Sequence, residues 1–335
     1  MTKKYDINAY IIMYLIGYSF YFHQVYTQLL YSKIGLGFVI PFLICYILLP
    51  ILFIYIIKKI KYKFNFKLDF FFKILTIIYL FITSIIVINY ASVMIHNYYY
   101  QDTNSLIVSL FFLLPILYVT IKGSNVYYSL IFFITLIFIG FKLLYGLNPN
   151  TSDIYPLYNI LNINNYFIIV LISFPLLFET SILLINNLLT AKISLKIIIP
   201  FLILISFISI YSLLREISEF SVLLETLSFP YYESCRLVTF ESNFDNIDYY
   251  YIFSIATSIF SRVPILFLTI KDTFKLNTKQ ILICFCVFFV ILFFLARKLS
   301  FYETIIMPLF YISSITILII FILTFFLKEK RHAQN

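Results

Sequence analysis

Long apolar runs separated by short polar turns carry the chain from about residue 8 to residue 327. A run of about 17–25 apolar residues is what a helix needs to cross a hydrocarbon layer about 30 Å thick. Ten such runs predict ten helices, at about 8–30, 35–57, 70–95, 105–121, 126–144, 166–189, 195–214, 248–270, 279–296 and 304–327. The fourth and fifth are short, and only the turn from Lys122 to Asn125 separates them. The pattern predicts one all-α polytopic membrane domain over 1–335, with an acidic extracytoplasmic loop at 215–247 and a cytoplasmic tail at 328–335.

Composition supports the same class. The chain is 62% hydrophobic and 12% charged, with a mean hydropathy of +0.99, whereas a soluble domain carries roughly 25% charged residues. Lipid is the solvent that accepts such a surface. Phe (40) and Tyr (30) are abundant while Gly (6) and Trp (0) are scarce. That bias matches the drift of an A+T-rich genome, so aromatic richness says little about a ligand. Cys45, Cys284 and Cys286 fall in apolar runs, and Cys235 has no CxxC partner. Neither a metal site nor a disulfide is expected from them. The start, MTKKYD, leads into an apolar run too long for a signal peptide, so the first span is expected to stay as an uncleaved anchor.

Charge then sets an orientation. With the N-terminus inside, Lys3, Lys4, Lys58, Lys59, Lys61, Lys63, Lys67, Lys122, Lys192, Lys196, Lys271, Lys275, Lys279, Lys328, Lys330 and Arg331 are all cytoplasmic. The outer side holds Lys33, Lys142, Arg215, Arg236, Arg297 and Lys298. This imbalance predicts that both termini are cytoplasmic and accounts for the net charge of +9 without nucleic acid. The segment between the seventh and eighth spans holds Glu216, Glu219, Glu225, Glu233, Glu241, Asp245 and Asp248, nearly half of the fifteen acids. It reads equally as a solvated, part-helical cap and as an extracellular lid or partner surface.

Polar groups inside spans carry the functional signal. An ionisable residue near the bilayer centre costs roughly 2.5–3.5 kcal/mol on insertion scales. Glu179 lies near the middle of the sixth span and Arg262 past the middle of the eighth. Both spans run inward on this topology, which puts each residue about 20 Å down at about 1.5 Å per residue. Matched depth and opposite charge predict a Glu179–Arg262 pair or a shared polar cavity. The bland alternative is an Arg262 that snorkels to the cytoplasmic side, with Glu179 protonated or bonded locally.

The first span carries Gly17, Tyr18, Ser19, His23 and Gln24. His23 and Gln24 read as interfacial, while Gly17 offers backbone freedom in a glycine-poor chain. Pro175 removes a backbone bond within the sixth span. A glycine break in the first span and a proline break in the sixth match the discontinuous pair that transporters use at the midplane. Their five-span offset fits a five-plus-five inverted repeat. Ser254, Thr257, Ser258 and Ser261 line the eighth span beside Arg262, and Asn89 on the third adds an amide. Open backbone suits the carboxylate of an amino acid, and carbonyls or Glu179 suit its ammonium. His23, His96 and His332 accompany no Ser/Asp set, and there is no Gly-rich phosphate loop, so neither an enzyme nor a cofactor is expected.

The stretch from Ser173 to Thr273 resembles the spore germination permeases, the B subunits of GerA-type nutrient germinant receptors, within the amino acid–polyamine–organocation superfamily. Ser173-Phe174-Pro175-Leu176-Leu177-Phe178-Glu179 is similar to that family's SFPFxE-type segment. Phe229-Pro230-Tyr231-Tyr232-Glu233-Ser234-Cys235-Arg236-Leu237-Val238 is similar to its YPxxExxR segment. Phe260-Ser261-Arg262-Val263 falls where the family tends to carry a basic residue. Asn246-Ile247-Asp248 stands in place of its R(I/L)(D/E) motif, and of that motif only the acid remains.

The resemblance implies a broken-helix, five-plus-five inverted-repeat fold in the inner membrane of an endospore. It implies a pocket formed by the first, third, sixth and eighth spans that takes an amino acid or similar germinant. It also implies an A-type membrane partner and a C-type lipoprotein partner; that the lipoprotein docks on the acidic outer loop is a separate expectation, from the loop's charge and length. The competing readings are a secondary transporter for an amino acid or cation, coupled to H⁺ or Na⁺, and a membrane scaffold whose polar sites only hold helices together.

Overall fold

The computed structural model describes residues 66–102, 104–146, 195–220, 223–224, 226–227, 229–237 and 248–296, with residue 315. They form seven helices: α1 Phe66–Tyr98, α2 Ser105–Lys122, α3 Ser124–Gly146, α4 Leu195–Phe220, α5 Pro230–Arg236, α6 Asp248–Phe274 and α7 Thr278–Ala296. Among the described residues, three stretches are long and apolar enough to cross a membrane: Ile77–Tyr98 in α1, Ser105–Lys122 in α2 and Tyr251–Phe274 in α6.

Local chemistry sets the breaks between helices. Asn104 caps α2, its Oδ1 accepting from the Leu106 N–H at 3.1 Å. Gly123 ends α2 at φ +96°, a conformation that glycine alone adopts cheaply, and its N–H returns to Val119 O at 2.8 Å. That one residue lets α3 start at once. Asn277 and Gln280 start α7 reciprocally: Asn277 Oδ1 accepts from the Gln280 N–H at 3.0 Å, and Gln280 Oε1 from the Asn277 N–H at 2.9 Å.

The centre of the described bundle is the antiparallel pair α1 and α6. Phe70 meets Phe274 at one end, with ring centroids 6.3 Å apart, and the hydroxyls of Tyr90 and Tyr251 meet at 3.0 Å toward the other. In each of these two helices 72% of the apolar stretch is buried, against 44% for α2, so α2 lies at the periphery. The α3 helix joins through Tyr127, whose hydroxyl donates to Ser261 O at 2.8 Å. The α7 helix joins through Phe288, 5.3 Å from Phe81 and 5.5 Å from Phe267. Phe111, Phe207 and Phe294 point outward at 79%, 69% and 67% exposure, while Thr83, Ser84, Ser254 and Ser258 are buried. An apolar exterior around a partly polar interior is the arrangement lipid favours.

The two ends differ in charge. Lys271 reaches Thr120 O, near the end of α2, at 3.4 Å, and Lys73 lies within electrostatic reach of Asp272. Lys275 and Lys279 follow Lys271 along the chain. The opposite end carries Arg215, Glu219, Glu233 and Arg236.

Between α1 and α2 the hydroxyls of Ser92 and Ser109 lie 2.7 Å apart, while each also reaches a carbonyl of its own helix, Ile88 O at 2.7 Å and Ser105 O at 3.1 Å. Two protons serve three contacts, so the cross-helix bond competes with the local ones. Ser92→Ala is therefore expected to cost about 0.6 kcal/mol, and at most about 1.7, in thermal unfolding of the solubilised protein. A larger loss would mean that the pair belongs to a wider network.

Candidate functional site: two buried polar clusters

The first cluster lies along α6. Ser254, Thr257, Ser258, Ser261 and Arg262 recur at three- and four-residue spacing, which puts them along one side of the helix. All five are at most 2% exposed. The hydroxyl protons go to carbonyls of the same helix: Ser254 to Tyr251 O (2.9 Å), Thr257 to Phe253 O (2.8 Å), Ser258 to Ser254 O (3.3 Å) and Ser261 to Ser258 O (2.9 Å). Their oxygens keep acceptor lone pairs.

Arg262 is 1% exposed, so its side chain stays inside the bundle and does not snorkel to a surface. Its guanidinium is charged at any physiological pH. From α1, Asn89 is 7% exposed, and its Oδ1 has no hydrogen-bond partner among the described residues. Ser84 Oγ is buried in the same condition. A buried polar atom left this way costs roughly 1–3 kcal/mol. These groups make the interior of the described bundle polar along α6 and at Asn89 and Ser84 of α1.

The second cluster closes the end near Tyr98 and Tyr251. The α4 helix does not stop where its apolar run stops at 214. It continues to Phe220 and carries Arg215, Glu216 and Glu219 with it. Arg215 Nε donates to Glu219 Oε1 at 2.7 Å, with the two side chains 1% and 6% exposed, and Ser234 Oγ donates to Glu219 Oε2. Glu216 is fully buried. Burial pushes the Glu219 carboxyl above the usual carboxylate range, although the bonds from Ser234 and Arg215 pull it down; Glu216 adds to the rise.

The short helix α5 sits on this end with Pro230, Tyr231, Tyr232, Ser234 and Cys235 buried. Pro230 occupies its first turn, where the missing N–H costs nothing. Phe229 packs edge-on to Tyr90 and Tyr98, with centroids at 5.0 and 5.8 Å. Tyr232 lies 4.3 Å from Tyr98 and 5.3 Å from Tyr251. Tyr98 donates to Glu233 Oε1 at 2.7 Å, and Arg236 pairs with Glu233 Oε2 at 3.3 Å and covers the Tyr232 ring.

The residues expected from sequence fall into three groups. Asn89, Ser254, Thr257, Ser258 and Arg262 are inside the bundle; Pro230, Glu233 and Arg236 form α5; Asp248 opens α6. Gly17, Tyr18, Ser19, Pro175 and Glu179, with His23 and Gln24, lie outside the described residues. The acidic segment from Arg215, expected as a part-helical cap or a lid, is in its first part the end of α4, with Arg215, Glu216 and Glu219 turned inward. Sequence reasoning passed over Arg215 and Glu219 as a pair, though their four-residue spacing on a helix was the available signal. Nothing in the sequence marked Tyr90, Tyr98 and Tyr251 among thirty tyrosines.

The described part of the chain is all helical, with three helices able to span a membrane. No family model matches the chain, and no curated protein matches it.

Proposed function

We propose that the chain is the B-type subunit of a spore nutrient germinant receptor, which binds an amino acid or similar germinant within the membrane and triggers germination. The observation that carries this reading is the FPYYESCR segment, similar to the germination permeases' YPxxExxR motif. Its Glu233 is clasped by Tyr98 and Arg236 at one end of a bundle that buries Arg262 deeper down. The proposed ligand site joins Asn89, Ser254, Thr257, Ser258 and Arg262 to Gly17, Tyr18, Ser19, Pro175 and Glu179. The fold on this reading is the ten-helix inverted repeat, in a spore inner membrane with both termini cytoplasmic, and the partners are the A-type and C-type subunits. A ligand triggers only by binding one conformation better than the other.

Glu219 ties α4 to α5, so a deletion through the acidic segment that removes it perturbs the bundle and does not isolate docking of the lipoprotein.

Spores lacking the gene, challenged with an amino-acid mixture, are expected to lose dipicolinate release. The intact chain restores it, and Glu179→Ala at equal abundance does not. Normal release from the deletion strain, together with uptake of labelled amino acid that depends on the chain, would replace this reading with the secondary transporter.

A further inference from the structure

The end of the bundle away from α5 carries lysines on α2, α7 and the turn between α6 and α7. The α2 span closes at Lys122 and the α6 span at Phe274, and the bond from Lys271 Nζ to Thr120 O, at 3.4 Å, sets the two ends side by side. Lys275 follows α6 directly, and Lys279 opens α7, which packs against both α2 and α6. Lys122, Lys275 and Lys279 are all exposed. Asp272, the acid at the end of α6, lies within electrostatic reach of Lys271 and Lys73. Two aromatic rings stand at the same level: Tyr118, 58% exposed with Lys122 Nζ 5.8 Å above its ring, and Phe274, 47% exposed.

Lys275 carries the sharpest signal. The Leu276 N–H returns to Lys271 O at 3.1 Å and closes α6 in a tight turn, inside which Lys275 takes φ +52°. Glycine fills that position at least cost, because a Cβ there crowds the backbone. Among the described residues Lys275 is the one non-glycine residue with a positive φ. A lysine in this place gives up backbone ease and sets a charge at the tip of the turn. Local strain of this kind gathers where a chain holds a ligand.

Ammonium groups where two spans end stand at the depth of lipid headgroups, and aromatic rings favour the same layer. Lysine offers a phosphate a compact charge with three donors. Orientation alone asks only that lysines lie on one side; it asks for none in a strained turn. We propose that this end binds the phosphate headgroup of an anionic membrane lipid, between the end of α2 and the turn into α7. Lys122, Lys275 and Lys279 hold the phosphate, and the acyl chains run along the exposed Phe111, Leu114 and Tyr118 of α2. The site is separate from whatever the bundle recognises and holds for a receptor or a transporter alike.

Full-length protein in a neutral detergent is titrated with phosphatidylglycerol, and its thermal midpoint is followed at each lipid concentration. A saturable rise is expected, with none from phosphatidylcholine of the same chains or from inorganic phosphate. Lys122→Gln, Lys275→Gln and Lys279→Gln are each expected to weaken the apparent affinity about fivefold, the worth of one lysine near an anionic surface. Lys275→Gly is the more telling variant: it relieves the turn, so the lipid-free midpoint holds or rises while the affinity still falls. Lys3→Gln with Lys4→Gln removes charge elsewhere along the chain and is expected to keep the affinity. An equal rise with inorganic phosphate, an equal loss in the Lys3 and Lys4 variant, or no loss in any of the three lysine variants overturns the site. Native mass spectrometry of the unaltered chain needs no variant: it is expected to show phosphatidylglycerol retained over phosphatidylcholine, and equal retention overturns the site as well.

Discussion

Replacing Arg215 with methionine is expected to destabilise the protein by about 3–5 kcal/mol near neutral pH, and by much less in mild acid. Methionine keeps the length and apolar body of the stem, so little packing is lost. What is lost is the positive charge 2.7 Å from Glu219. Removing one member of a buried ion pair strands the other, here the Glu219 carboxylate. Acid relieves the loss because a protonated Glu219 no longer needs Arg215. The same reasoning makes the double variant Arg215→Met with Glu219→Leu milder than Arg215→Met alone, since a well-packed apolar replacement of a buried pair is often neutral. Thermal unfolding of the solubilised protein at a series of pH values reads both effects. A loss below about 1 kcal/mol that does not change with pH would show that water reaches the pair in solution and screens it.

The helices were legible because hydropathy alone marks them. The runs at 105–121 and 279–296 are apolar nearly all round, and α2 and α7 span Ser105–Lys122 and Thr278–Ala296. Which side of each helix faces inward was much less legible, because a helix surrounded by lipid and protein need not segregate polar from apolar residues. The polar row Ser254, Thr257, Ser258, Ser261 and Arg262 is the exception: hydroxyls and a charge on one side of an apolar helix have few places to go but inward. At the end cluster, rules for orientation and loops left open how far the helix runs and what it buries, for a physical reason. Charged residues past an apolar run ordinarily mark the water boundary. Arg215 and Glu219 neutralise one another, and with Ser234 in place α4 continues and buries them. Pairing at four-residue spacing is visible in sequence; the tyrosines and the short helix that exclude water are brought there by tertiary packing.

The largest effect expected at the proposed ligand site concerns the charges of the proposed sixth and eighth spans. Arg262 is 1% exposed and keeps its charge inside the bundle, so it needs an anionic or strongly polar counterpart. On the proposed fold Glu179 lies at the same depth, counted at about 1.5 Å per residue from the outer end of each span. Arg262→Glu and Glu179→Arg should each then set like charges together in a low-dielectric interior. Each single reversal is expected to lower stability by more than the roughly 3–5 kcal/mol of removing one partner, enough to reduce the amount in the membrane severely. The swap, Glu179→Arg with Arg262→Glu, should recover most of that abundance, because Coulomb attraction is indifferent to which helix carries which sign. Nutrient response need not return with it, since a ligand carboxylate or ammonium would meet the wrong charge at each position. Abundance by immunoblot and dipicolinate release from the same spores separate the two roles. Recovery of abundance without response assigns the pair both to the fold and to recognition. A swap no more abundant than the weaker single reversal means that Arg262 answers to another group, and the pocket must then be rebuilt around Asn89 and the α6 hydroxyls.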